Sequence, residues 1–114
     1  MITIYQIHLS DADILAVNTR GWDAVPKAYA RANMMTGFRR FKEEYLKYFE
    51  ATYEVDTDDL EVAFEATNLW EGYDVKRLTR GSSTSVGDIA VKDGNCYFCD
   101  SFGWVAMGKY EGMN

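Results

Sequence analysis

Val86-Gly87-Asp88-Ile89-Ala90-Val91-Lys92-Asp93-Gly94-Asn95-Cys96-Tyr97-Phe98-Cys99-Asp100 is the stretch that decides the fold. Two runs of strand character, Val86 to Val91 and Cys96 to Asp100, flank the pair Asp93-Gly94. Asp-Gly between such runs accepts the two positive φ angles of a tight hairpin turn, so it predicts an antiparallel pair. Trp104 to Met107 reads as a last short strand and Tyr73 to Leu78 as one that comes before. The last third of the chain is therefore expected to be a β-meander.

Working back towards the N-terminus, residues 51–55 (ATYEV) have strand character. Asp56 or Thr57 then caps a helix to about Thr67, with Leu60, Ala63, Phe64 and Thr67 on its buried face and Asn68 at its end. Asp58 and Asp59 fall in its first turn, where the helix dipole favours negative charge. Phe38, Phe41, Tyr45 and Phe49 predict a helix over 38–50, with Glu43 and Lys47 paired on its outer side. Val25, Ala28, Tyr29, Ala32 and Met35 predict another over 24–36; Pro26 suits its first turn and Gly37 its end. Ser10 and Asp13 have capping-box spacing for a short helical segment through Ile14, Leu15 and Val17. Residues 2–8 alternate as a strand. The order implies one α+β domain over 1–114. Its antiparallel sheet would join the N-terminal strand to the C-terminal meander, with three to four helices packed on one face.

Composition narrows function. The 114 residues are 47% hydrophobic and 15% aromatic, enough for a core without disulfide or metal staples. The net charge of −6 disfavours phosphate backbones and anionic membranes as partners. Two cysteines are too few for a secreted disulfide framework, and the first residues lack the basic and apolar regions of a signal peptide. A cytoplasmic protein is expected. The charge is strongly segregated: residues 20–42 hold six basic side chains against Asp23 alone, whereas residues 43–74 hold eleven acids against Lys47 alone.

Several chemistries can be weighed. Cys96 and Cys99 form a C-x-x-C without a second ligand pair, and on a strand residues three apart point to opposite faces, so no metal is expected. Ser82, Ser83 or Ser85 with His8 and Asp88 could make a triad on paper, but no nucleophile-elbow pattern surrounds the serines. Gly81 to Asp88 has the composition of a phosphate loop without its Gly-Lys-Ser/Thr ending or following helix. No catalytic residue and no cofactor are expected. The acids Glu54, Asp56, Asp58, Glu61, Glu65 and Asp74 can dock a basic surface, with Asp58, Glu61 and Glu65 spaced for one helical stripe. An alternative is nucleic-acid association through Lys27, Arg31, Arg39, Arg40 and Lys42, with Tyr29, Phe38 and Phe41 for stacking. Those aromatics also fall on core stripes, which weighs against it.

Arg80-Gly81-Ser82-Ser83-Thr84-Ser85-Val86-Gly87-Asp88-Ile89, Val91, Asp93-Gly94, Tyr97 and Asp100-Ser101-Phe102-Gly103-Trp104 carry a resemblance. With Tyr53, Val55, Asp59-Leu60-Glu61, Phe64 and Asn68 upstream, residues 50–107 resemble the YodL-like domain family. The resemblance implies a non-enzymatic accessory protein of a phage or mobile element and supplies no catalytic residue. The expectation is a protein that binds and modulates a host protein with a basic surface, such as a defence, transcription or replication factor. Ser83 and Ser85 on one face of an extended segment, with Gly87-Asp88 at a bend, read chiefly as fold specification.

Overall fold

The computed structural model describes residues 1–70, 72–110 and 113; Glu71, one of the eleven acids, lies outside them. The elements are β1 (Ile2–Ile7), α1 (Asp11–Arg20), α2 (Pro26–Met34), β2 (Phe49–Val55), α3 (Leu60–Leu69), β3 (Val75–Arg77), β4 (Ile89–Lys92), β5 (Asn95–Asp100) and β6 (Gly103–Gly108). Short 3-10 turns occupy Trp22–Ala24, Phe38–Arg40 and Glu43–Tyr48. The strands form one antiparallel sheet in the order β3-β2-β1-β4-β5-β6. The fold is α+β, a sheet with helices, as the sequence leads one to expect. The hairpin turn is where Asp93-Gly94 places it, with φ of 51° and 78°. No helix among the described residues is long and apolar enough to cross a membrane.

The helices do not gather on one face. Ile2, Ile4, Tyr53, Val55 and Ala90 bury one side of the sheet under Ala63 and Ala66 of α3. Tyr5, Ile7, Ile89, Val91, Cys96 and Phe98 bury the other side under Ala30 and Met34 of α2 and Tyr45. Covering both faces explains why β1, a central strand, has only Thr3 not fully buried. A register shift opposite Ile4 and Tyr5 leaves Thr52 as an extra residue in β2. That bulge turns β2 over: Phe49 and Ala51 join the α2 side, Tyr53 and Val55 the α3 side.

The helix expected over 38–50 is replaced by two 3-10 turns and the start of β2. Phe38, Phe41, Tyr45 and Phe49 still pack on the α2-side core. The spacing of the aromatics reported which side faces inward, not the helical pitch. Elsewhere Ser10 and Asp13 make the full capping box, with bonds of 3.1 and 2.8 Å. Proline stands at the start of α2 as expected.

Candidate functional site

The sheet has two chemically different ends. At one, β1 and β3 begin and β2 and β4 finish, since Val55 pairs with both Ile2 and Val75, and Ile2 with Lys92. The segments leaving this end carry Asp56, Asp58 and Asp74. Glu54, Asp56 and Asp74 surround a recess of about 340 Å³ together with Met1 and Lys76. The carboxylate of Glu54 lies 3.9 Å from the Lys76 ammonium, and that of Asp58 lies 3.0 Å from the chain's amino group. Hydrogen bonding to that ammonium holds the Asp58 carboxyl below its usual range. Asp56 and Asp74 are exposed and enter no ion pair among the described residues.

The three-acid helical stripe is not formed. Asp59 is the N-cap of α3, accepting from the Glu61 and Val62 amides at 2.9 and 3.4 Å, so Asp58 precedes the helix. Glu61 and Glu65 are exposed on α3, and Glu65 accepts the Tyr73 hydroxyl at 2.8 Å. The six acids divide into a rim of Glu54, Asp56, Asp58 and Asp74 and a helical pair, Glu61 and Glu65.

The basic residues do not form one helical face either. Lys27 sits 3.7 Å from Asp13 and 4.0 Å from Glu50. Arg31 lies on α2, its guanidinium donating to Met35 Sδ at 3.5 Å. Arg39 and Arg40 lie on a 3-10 turn and Lys42 on the link after it, because the helix meant to carry them is absent. Phe38 and Phe41 stack on each other and pack on the core, and Tyr29 stacks on Trp22, so these rings are already engaged.

At the sheet's other end, the segment Arg80–Asp88 is held by buried polar groups. Gln6 Nε2 donates to the Ser82 carbonyl and to Asp88 Oδ2, both at 2.9 Å, while Gln6 Oε1 accepts the Ser82 amide at 3.2 Å. Tyr53 donates its hydroxyl to the Ser82 carbonyl at 2.7 Å. Thr84 is tied to Thr67 at 2.5 Å and its carbonyl to Asn68 at 3.1 Å. Among the described residues no buried side-chain nitrogen or oxygen lacks a partner. Such a network specifies one placement of a loop. Sequence reasoning missed Gln6 as its organiser; the signal was a polar residue inside a run of apolar ones in a central strand.

Burial pushes the Asp88 carboxyl up to about 7, against the lowering effects of the Ser85 amide, Gln6 and the charge of Arg31. Asp88 bonds Gln6 and Ser85, whereas His8 Nε2 meets Thr52 Oγ1 at 2.9 Å, so the paper triad is not assembled. Cys96 faces the α2-side core together with Phe98, which leaves Cys99 on the opposite face. Burial is the main cause raising both thiols, that of Cys99 to about 12. Both are therefore protonated, poor nucleophiles at neutral pH. No cluster of three or more metal-binding side chains occurs among the described residues.

The fold and site define a two-faced α+β domain with an acidic rim at one end of its sheet. In comparisons with known proteins the chain matches no family model, no curated protein and no solved structure.

Proposed function

We propose that this chain is a non-enzymatic accessory protein that binds a basic surface on another protein through its acidic rim. The observation that carries the reading is the convergence of Glu54, Asp56, Asp58 and Asp74 from separate segments onto one end of the sheet. Lys76 and the amino group offset part of this charge; Asp56 and Asp74 stay exposed and unpaired among the described residues. Carboxylates gathered at one end of a sheet steer and orient a basic partner. Glu61 and Glu65 on α3 extend the surface. The resemblance of residues 50–107 to YodL-like domains supports a phage or mobile-element origin, and hence a host protein as the partner. The thiols are buried and protonated and Asp88 is bonded internally, which argues against these three groups as catalysts.

Asp56→Lys/Asp74→Lys reverses the rim at two exposed positions. Affinity purification from a bacterial lysate at low and at 0.5 M salt would recover, with the wild type only, a basic protein released by salt. Equal recovery by the variant would sink the reading.

A further inference from the structure

We propose that the groove between α1 and residues 79–82 binds a small organic oxyanion, a phosphate or carboxylate carried on an apolar body. The groove encloses about 540 Å³, within the size range of small-molecule sites. Arg31 lines it from α2 and Arg80 from the segment after β3. Neither guanidinium enters an ion pair among the described residues, although the chain has 18 acids for 12 basic residues. A guanidinium suits carboxylate and phosphate oxygens, which it binds by forked hydrogen bonds.

The wall carrying Arg80 is fixed. A side chain on Gly81 would meet Thr52 at 2.3 Å and Gln6 at 2.6 Å, so the backbone lies flat against β1 and β2. Ser82 has its amide and carbonyl bound by Gln6 and Tyr53, and the residue is exposed. Leu9 and Ile14 supply an apolar wall. No residue of α1 is buried, and Ile14 is 46% exposed, a helix placed where an apolar ligand body would cover it. Asp11 and Glu50 also line the groove. These acids and the negative net charge repel a polyanion, which favours a compact anion over a nucleic acid.

His8 lines the groove and is the chain's single histidine, so its ring reports on the site. The probes are phenyl phosphate, benzoate, inorganic phosphate and a single-stranded oligonucleotide, each followed by the NMR resonances of His8. Expected is a saturable shift with phenyl phosphate or benzoate, the tighter of the two assigning the head group. Bound anion should raise the His8 titration midpoint, inorganic phosphate should bind about tenfold more weakly, and Arg80→Gln should weaken binding tenfold or more. Arg80 is exposed, so its variant should keep the wild-type thermal midpoint. Shifts that never saturate, unchanged affinity in the Arg80 variant, or tightest binding by the oligonucleotide would overturn the proposal. Asp56→Lys/Asp74→Lys should leave this binding intact, which separates it from the acidic rim.

Discussion

Asp88 shows how one half-buried carboxyl couples the loop to pH. Its folded pKa of about 7 lies above the unfolded value, so the folded chain holds the proton more tightly. The stability this gives is complete below about pH 4 and is lost as pH rises to about 7, roughly 4 kcal/mol by linkage. A single oxygen, Oδ2, accepts both the Gln6 and the Ser85 N–H groups. An asparagine carbonyl can keep both bonds, with its amide replacing the other oxygen. Asp88→Asn should therefore flatten the stability profile between pH 4 and 7 in urea melts and be the more stable protein at pH 8. An unchanged slope would show that Asp88 titrates normally. Gly81 acts by size rather than by backbone angle. Thr52, fully buried, lies where a Cβ would go, so Gly81→Ala should cost about 1–3 kcal/mol from overpacking, read as a lower urea midpoint.

Among the elements, α1 stands apart because it buries none of its residues. Its order rests on the Ser10–Asp13 capping box, the Asp13–Lys27 ion pair and its seat beside the Trp22–Ala24 turn. A helix of ten residues without a buried face is marginal alone. Its amides should exchange with deuterium through local opening, far faster than those of β1 and β4. Ser10→Ala, a loss of about 1 kcal/mol at a cap, should speed that exchange several-fold and leave the global urea midpoint nearly unchanged. A matching fall in global stability would place α1 inside the cooperative core. Legibility in the sequence follows the same division between local and long-range forces. The capping box, the proline at the start of α2 and the Asp93-Gly94 turn are settled by neighbouring residues, and all were readable. The 3-10 turns over 38–48 and the bulge at Thr52 are settled by which sheet face the aromatics must reach, information held in distant partners. The division of helices between two faces was signalled only by apolar residues on both sides of β1, Ile2 and Ile4 on one and Tyr5 and Ile7 on the other.

At the scale of the whole molecule, the antiparallel order sorts charge that the sequence shows only as blocks. The acids of 54–58 and Asp74 meet because β2 ends where β3 begins, and Arg31 and Arg80 both line the groove at the far end. Block composition therefore foretold segregation but neither set of neighbours, and helical spacing wrongly grouped Asp58 with Glu61 and Glu65. Crowding like charges at one end opposes folding through self-repulsion. Asp56 and Asp74 enter no ion pair among the described residues, so none of those pairs requires them. If they are kept for binding, neutralising them should help the folded state while harming recognition, the usual tension between stability and function. Asp56→Asn/Asp74→Asn should raise the thermal midpoint by about 2 °C at 10 mM salt. The gain should fade at 0.5 M, where the screening length falls below roughly 5 Å. A variant that melts lower than wild type at low salt would mean that the two aspartates support the fold, and the rim would lose its claim to be a surface held ready for a partner.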